Sequence, residues 1–556
     1  MSGVRGRQGD GSGVQVQSFL GDVAAAEQRT PLPPRPDPAV DADAVSQRFK
    51  AVAGVISRWL ATEPYRMLQE LLDQPPEQMP IFRPAVGPVV VMRQEHVVQC
   101  LERTDLFTVD PYAEEMTRAT DDRDQAAYRH FLLGTDRDEL YRLDDLIMRR
   151  VVSRDDEAAV AALARAEAEL QVGTVDGEID VATTVAKHVP LRIVGDYLGV
   201  PYVDVGRPST LPGLCGGDAF PLDDDLASRF SFTHIEKGRV PIADDLYGWV
   251  KDAFRNIFNN PPGPLHDDFQ NRGIVATQYL TAYVHALLRA YGERLRRGEA
   301  VPDTMLTRLL RLQADGRAVE CDARELLGAP PPPGELARRL SDSMIRSNVV
   351  GTVIGAVVNP QEATARIVDS MLRLQDGEYR TTGGAGFAEA ARLALVDDGE
   401  PGYADSLEGL RRYALEALRL QPQGEVVLRR CVQDTTELGG VPVRKGTPVL
   451  VAYAAAMRDP QVVPEPLTFD VGRDEGLVPY LADGDRAHEA PQSRTYLQHG
   501  FGRHKCLGRY ASEVTMRESL RALLRLGRWE RRSRLQLDAQ GLYVESLRIH
   551  VGGRSA

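Results

Sequence analysis

The residue whose type and setting most clearly suit chemistry is Cys506, near the end of the stretch Gln498-His-Gly-Phe-Gly-Arg-His-Lys-Cys-Leu-Gly508. A thiolate that binds a metal needs a dry, electropositive place. A helical pattern begins at Arg509, so backbone N–H groups and the positive end of a helix dipole would face the sulfur and lower the thiol pKa. Glycines let the backbone turn and approach a flat ligand closely. They lie at Gly500, Gly502 and Gly508. The stretch therefore indicates a thiolate ligand, and the alternative is a buried structural cysteine in a glycine-rich loop.

The same stretch resembles the heme loop of the cytochrome P450 family, whose pattern is Phe-Gly-x-Gly-x-His/Arg-x-Cys-x-Gly. At the first position of the pattern the chain has His499, which brings a hydrogen-bonding or titrating group close to the sulfur. The resemblance implies that the cofactor is heme b (iron protoporphyrin IX), with Cys506 as the axial ligand of the iron. Such a thiolate pushes electron density onto the iron and favours O–O cleavage. The other loop residues that the resemblance places at the heme are Gly500, Phe501, Gly502, His504 and Gly508.

A long helical run from Glu335 to Leu374 precedes this loop. Its centre, residues 348–358, is apolar all round, which is typical of a buried central helix. Pro360 falls inside the run, where a proline removes one backbone hydrogen bond and kinks the helix.

The resemblance identifies this run as the family's I helix, which opens at Ala-Gly-x-Asp/Glu-Thr, where the acid and the Thr deliver protons during oxygen activation. Aligned on Ala356, the chain has Asn359 at the acid and Pro360 at the Thr. These three are the candidate catalytic positions, and both proton-delivering side chains are absent from them. One interpretation is that the enzyme uses peroxide-level oxidants or protons from the substrate's hydroxyls. The other is that Pro360 is only a kink and that ordered water delivers the protons.

Glu416 and Arg419 lie three residues apart on a helical run from Leu407 to Leu420, so their charges share one face and can pair. Such pairs are common on solvated helices, but further landmarks of the resembled family follow in order. Arg429 has the spacing at which family members contact a heme propionate. The resemblance implies a structural Glu-Arg-Arg cluster, which Arg473 is expected to complete because Thr468 occupies the family's usual Arg position.

A second propionate contact is expected on the family's C helix, at residues 133–152. There Leu140 and Asp144 occupy the places of the usual His and Arg. Arg142 or Tyr141 is the possible substitute, and arginine suits the role because its planar fork pairs with a carboxylate bidentately. The alternative is that Arg142 is a solvated helix residue.

Composition excludes several classes of function. The net charge is -13 and no basic stripe stands out, which argues against nucleic acid as a partner. The five cysteines are scattered without the spacing of a zinc site or a disulfide framework, which favours a reducing, cytoplasmic compartment. No apolar run approaches the ~20 residues of a membrane span.

The chain organisation predicted from these patterns is a disordered N-terminal extension, residues 1–43, followed by one heme-thiolate domain, residues 44–556. The order of the family's N-terminal sheet is repeated by a strand-like pattern at 82–92, a helix at 95–101 and then Leu106-Phe107. Pro- and Gly-rich loops at 206–225 and 259–264 lie where the family has its mobile lid over the substrate pocket.

The sequence thus predicts a mainly α fold with small β-sheets, the cytochrome P450 fold. The expected function is that of a monooxygenase that oxidises an apolar or amphipathic small organic molecule, in secondary or lipid metabolism. Electrons would come from a separate ferredoxin and ferredoxin reductase. The alternatives are a peroxide-dependent peroxygenase or hydroperoxide isomerase of the same family, and a non-catalytic heme-binding partner or sensor.

Overall fold

The computed structural model describes residues 18–33, 41–118, 132–136, 138–173, 177–203, 241–260, 266–478 and 491–552. Within these ranges the chain is mainly α-helical with small β-sheets, as predicted. The helices are α1 (Phe19–Arg29), α2 (Ala42–Thr62), α3 (Pro64–Leu72), α4 (Gln94–Glu102), α5 (Asp110–Arg118), α6 (Asp138–Val151), α7 (Glu157–Gly173), α8 (Val185–Ile193), α9 (Ala243–Phe258), α10 (His266–Arg296), α11 (Met305–Ala314), α12 (Arg317–Leu327), α13 (Glu335–Arg339), α14 (Asp342–Gln375), α15 (Phe387–Ala394), α16 (Tyr403–Leu420), α17 (Tyr453–Ala456) and α18 (Arg509–Leu524). The strands are β1 (Val89–Val91), β2 (Phe107–Thr108), β3 (Glu178–Asp180), β4 (Val427–Cys431), β5 (Pro448–Val451), β6 (Leu477–Val478), β7 (Gln492–Ser493), β8 (Trp529–Arg531), β9 (Gln536–Leu537), β10 (Val544–Ser546) and β11 (Arg548–Val551).

The largest sheet has the strand order β1-β5-β4-β2. Strand β1 is parallel to β5, with Val90 opposite Leu450, whereas β4 is antiparallel to both β5 and β2. Phe82 bridges to Val90, and α4 and β2 follow, so the N-terminal order predicted from the sequence is confirmed. The smaller sheets are β3-β11-β8, β9-β10 and β6-β7, all antiparallel. The main sheet contributes to the candidate site because its strand β4 carries Arg429.

Helix α14 is the central helix that the apolar run predicts. The Ser341 hydroxyl caps its first turn by accepting the backbone N–H of Met344 at 3.4 Å. Val349, Val353 and Val357 follow one another along one face and are fully buried. Burial of each such side chain contributes about 1.5–3 kcal/mol. The helix packs against α8, α9, α10, α16 and α18, so its position fixes theirs.

The prediction that residues 1–43 are disordered is wrong for the part that forms α1. Phe19 is fully buried, with its ring centroid 6.1 Å from that of Trp59 and 5.2 Å from that of Phe82. The carboxylate of Glu70 accepts the first two backbone N–H groups of the helix, at 2.8 and 3.0 Å. This short segment is ordered because one aromatic anchor and one distant carboxylate hold it, which composition does not reveal.

Of the two predicted lid loops, residues 206–225 lie outside the described residues, as do residues 261–264 of the second. The flanking helices α9 and α10 are described and pack on α14. Among the described residues, no helix combines the length and the apolar character that crossing a membrane requires.

Candidate functional site

Three backbone hydrogen bonds close the loop that carries Cys506. The N–H of Gly500 donates to Leu497 O at 2.8 Å, and the N–H of Cys506 donates to His499 O at 2.9 Å. The N–H of Lys505 donates across the tip, to Gly502 O at 3.2 Å. Helix α18 begins three residues after the cysteine. The loop therefore holds the thiol at the N-terminal end of a long helix, as the sequence predicts.

Gly502 packs this loop tightly against α4. Its φ is +68°, and a Cβ atom at this position would lie 2.8 Å from Leu101 O and 3.3 Å from Glu102 Cα. Gly502→Ala is expected to destabilise the protein by at least about 1–2 kcal/mol from the left-handed backbone alone, with a lower melting temperature and less bound heme. Gly54→Ala, on an exposed turn of α2 where the Cβ meets open space, is the control and should not destabilise the fold. Equal melting temperatures for wild type and Gly502→Ala would contradict this account.

The Cys506 thiol has an unusual setting, because its side chain is exposed while protein surrounds it closely enough for desolvation to raise its pKa. Two influences act to lower the pKa of this thiol. They are a hydrogen bond from the Gly508 backbone and the positive charges of Arg509, Arg149 and Lys505. These groups act in favour of the thiolate, but burial outweighs them and leaves the pKa of the thiol raised overall, so the lowering that the sequence predicts is not found. A Cβ atom at Gly508 would meet no described atom within 4 Å, so the loop borders open space two residues after the cysteine.

His504 is held by a carboxylate that the sequence did not single out. Its Nε2 lies 2.7 Å from Oδ1 of Asp136, whose Oδ2 accepts the backbone N–H of Val109 at 2.8 Å. Burial raises the pKa of Asp136, but the hydrogen bonds from His504 and Val109 outweigh it and lower that pKa overall. Burial also lowers the pKa of His504, although Asp136 opposes this. The imidazole thus has one nitrogen fixed in place, with its ring oriented by an edge contact to Tyr141 at 5.3 Å.

Arg429 on β4 is buried, and its charge contributes to the pKa values of both Asp136 and His504. One terminal nitrogen donates to Leu428 O at 2.9 Å, but its Nε has no hydrogen-bond partner among the described residues. A buried guanidinium N–H without an acceptor is costly, and a carboxylate such as a heme propionate would satisfy it. The residues near Arg429 therefore fit the predicted cofactor.

Helix α6 carries the residues of the expected second clamp. Asp144 is fully buried and paired with Arg339, and burial raises the pKa of this carboxyl to about 8. The Tyr141 hydroxyl donates to Arg503 O, so Tyr141 braces the heme loop itself. Arg142 is half-buried, and its contact with a propionate stays a prediction.

One face of α14 is lined by small residues that are only half-buried. They are Gly351, Thr352, Gly355, Ala356 and Asn359, spaced at about one helical turn. A Cβ atom at Gly355 would meet no described atom within 4 Å. The Asn359 amide turns back along the helix and donates to Gly355 O at 3.4 Å, while Pro360 has no N–H to donate. The structure thus places these positions on a face beside open space, without an acid or a hydroxyl at residues 359 and 360.

Glu416, Arg419 and Arg473 come together in the core. The Glu416–Arg419 pair is bidentate, with both N–O distances at 2.8 Å and neither side chain exposed. Arg473 Nε lies 3.4 Å from Glu416 Oε1, and its terminal nitrogens donate to Pro464 O and Thr468 O. The cluster that the sequence predicts is therefore formed, with Arg473 as its third member.

Comparison with known proteins extends these local findings. A family model for cytochrome P450 matches residues 405–543. A segment of 188 residues, 33% of this chain and 12% of the relative, is 27% identical to a bifunctional dioxygenase–epoxy alcohol synthase of Fusarium oxysporum. A segment of 116 residues, 20% of this chain and 23% of the relative, is 35% identical to cyclooctat-9-en-7-ol 5-monooxygenase of Streptomyces melanosporofaciens. The matches thus span less than a quarter of either relative.

Among solved structures, epothilone B-bound cytochrome P450epoK is similar with a TM-score of 0.59 and 18% identity, over 89% of this chain and 98% of that chain. At this level of identity the likeness shows the fold alone. The predicted cytochrome P450 fold is confirmed.

Proposed function

We propose that the chain, whose residues 405–543 match a family model for cytochrome P450, is a heme-thiolate monooxygenase of that family with heme b as its cofactor, and that it oxidises an apolar or amphipathic small organic molecule. The observation that carries the proposal is the Cys506 thiol, which is exposed in its glycine-rich loop at the N-terminal end of α18. When bound, the heme supplies oxygen activation that no side chain can provide.

The chain's own residues hold and orient this cofactor. Cys506 is proposed as the metal ligand; the Gly508 N–H and nearby positive charges act to lower its pKa, against the burial that raises it overall. Arg429 is proposed to donate its unpartnered Nε to a propionate. His504, fixed by Asp136, is proposed to orient a second acceptor or ordered water at the same edge. Gly355, with open space around it, leaves room for the macrocycle and the substrate on the α14 side.

The substrate class is inferred from the setting of the site and from one relative. The face of α14 around Gly355 and Ala356 is apolar, which suits a hydrophobic skeleton. By its name, the Streptomyces relative oxidises cyclooctat-9-en-7-ol, an alcohol on a hydrocarbon frame. We place the substrate in this amphipathic class and the reaction in secondary or lipid metabolism, with electrons from a separate ferredoxin and its reductase.

A second candidate function is peroxide-dependent turnover or hydroperoxide isomerisation. Proton donation by a positioned group typically contributes about 10²–10⁴-fold to rate, and Pro360 has no donor while the Asn359 amide is engaged by its own helix. The name of the Fusarium relative pairs a dioxygenase with an epoxy alcohol synthase, which is consistent with such chemistry. A hydroperoxide brings its own O–O bond and needs no electron supply.

The two oxidant classes are separated by comparing the product formed with hydrogen peroxide to that formed with oxygen, NADPH and a surrogate ferredoxin pair. If the missing acid and hydroxyl set the mechanism, wild type favours peroxide. Asn359→Asp/Pro360→Thr should then shift the preference toward oxygen, with a gain on the order of 10²-fold in the reductase-driven rate.

Pro360→Ala is the matched control for this comparison, because it removes the proline without adding a hydroxyl. A wild type that is tightly coupled with the reductase system, silent with peroxide and not improved by the double variant would show that Pro360 acts only as a kink. A non-catalytic heme-binding role predicts the same ferrous carbon monoxide spectrum but no turnover with either oxidant over a library of amphipathic substrates.

A further inference from the structure

The face of α14 that carries Gly355 and Asn359 continues toward its C-terminus with two charged residues. Glu362 follows Asn359 by one turn, about 4.5 Å along the axis, and Arg366 follows by two turns. Both are buried, with 3% and 7% of their surface exposed. A buried charged pair in line with a candidate active-site position needs a physical account, because burial of ionised groups is costly.

The contacts of Glu362 are incomplete. Its Oε1 accepts the backbone N–H of Val544 at 2.6 Å. Its Oε2 lies 3.6 Å from Arg366 Nε, and neither of these two atoms has a hydrogen-bond partner among the described residues. By contrast, the Glu416–Arg419 pair in this same protein is bidentate, with both N–O distances at 2.8 Å. The free oxygen of Glu362 is instead available to hold a proton or an ordered water.

Groups on every neighbouring element act on this carboxyl. Burial raises the pKa of Glu362 to about 7, the charges of Arg366 and Lys251 and the Val544 N–H act to lower it, and Glu425 acts to raise it. The charge of Glu362 in turn acts to raise the pKa of two tyrosine hydroxyls, those of Tyr247 on α9 and Tyr543 next to β10. An acid that titrates near neutral pH is well suited to proton exchange at operating pH.

The charge of Arg366 acts on a second buried polar group that lacks a hydrogen-bond partner among the described residues. Its charge is coupled to those of Tyr65 on α3 and Glu425 before β4. The Tyr65 hydroxyl is buried without a hydrogen-bond partner among the described residues, and burial raises the pKa of Glu425 as well. Polar atoms of this kind, buried together and unpaired, are the setting in which ordered waters bridge protein groups.

We propose that Glu362 is the proton donor on the α14 side of the site and takes over the role of the acid that is missing at Asn359. The Oε2–H bond breaks, the proton crosses one bridging water, and an O–H bond forms on the reacting oxygen of the oxidant. The carboxylate left behind is stabilised by Arg366 and takes up a hydronium proton that enters from solvent. This inference rests on the proposed function, because it supplies the proton for that oxygen chemistry.

The test uses the heme-loaded full chain and Glu362→Gln, which keeps the acceptor for Val544 but cannot exchange a proton. Product formation by wild type should fall as pH rises through about 7, because the protonated carboxyl is the donor. The variant should lose this pH dependence and be slower on the order of 10²-fold. Glu362→Gln/Asn359→Asp should recover most of the rate by restoring an acid one turn away.

A second measurement does not depend on activity. The wild-type infrared difference spectrum between about pH 5.5 and pH 8.5 should contain a protonated carboxyl C=O band that disappears at the higher pH. Glu362→Gln should lack the part of this band that Glu362 contributes. Other buried carboxyls such as Asp144 also titrate in this range, so the difference between wild type and variant isolates the contribution of Glu362. Glu389→Gln, an exposed residue of α15, should change neither spectrum nor rate.

An unchanged pH profile and rate in Glu362→Gln, or no carboxyl band assigned to Glu362, would overturn the inference. If Glu362→Gln loads heme poorly, Glu362→Asp provides the same comparison with an acid retained and should keep a pH-dependent rate. A failure of the proposed function is separately visible, because wild type would then lack the thiolate-type ferrous carbon monoxide band or any turnover.

Discussion

Cys506→Ala is expected to abolish the thiolate-type absorption band of the ferrous carbon monoxide complex. Cys506 combines an exposed side chain, the N-terminal end of α18 and nearby positive charges that favour the anion. A helix N-terminus and cationic neighbours stabilise a thiolate; Cys100 has a cationic neighbour, Arg429, but this cysteine is fully buried and lies in the last turn of α4. The variant should either lose heme or bind it without the thiolate spectrum, and turnover should fall to the background of free heme.

Cys431→Ala is the matched control for this prediction. Cys431 is fully buried on β4, its thiol donates to Gln433 O at 3.0 Å, and burial raises its pKa. Its loss removes a small core contact and should leave the spectrum unchanged. Retention of the thiolate band in Cys506→Ala, or its loss in Cys431→Ala, would overturn the ligand assignment.

The features predicted correctly from the sequence depend on residues close together along the chain. The heme loop, the Glu416–Arg419 pair three residues apart and the apolar centre of α14 each leave a local pattern. Local spacing determines which side chains share a helix face or a turn. The absence of an acid and a hydroxyl at Asn359 and Pro360 was visible for the same reason.

The features that the sequence did not reveal depend on distant contacts. His504 is oriented by Asp136, which is 368 residues away in the chain, and α1 is held by Glu70 and two aromatic rings from later segments. In the sequence, Glu362 and Arg366 look like ordinary exposed residues of a helix. Their burial depends on how α9, β10 and the segment before β4 pack around α14. A charged residue inside an otherwise buried helix was the available signal, and it was missed.

Glu416→Ala is expected to cause poor folding and low heme content. Glu416 is fully buried and accepts from Arg419 at two oxygens, from the Asp470 N–H at 3.0 Å and from the Tyr496 hydroxyl at 3.2 Å. Removing the carboxylate leaves the Arg419 and Arg473 guanidiniums without their anion in the core. Breaking a buried pair in this way costs about 3–5 kcal/mol, a large part of the stability of an ordinary domain. Thermal unfolding and the ratio of heme to protein measure the effect.

Glu408→Ala on the same helix is the control that separates burial from charge. Glu408 pairs with Arg411 and Arg412, but its side chain is 45% exposed, and an exposed pair contributes only about 0–1 kcal/mol. The control should therefore keep nearly the wild-type melting temperature and full heme content. The segment that Arg419 binds through Met457 O, Pro466 O and Thr468 O leads toward the heme loop, so losing its anion should loosen that loop and release heme before the helices unfold. A Glu416→Ala protein that is well folded and fully loaded with heme, and altered only in substrate affinity, would show that the cluster serves substrate binding and not the core.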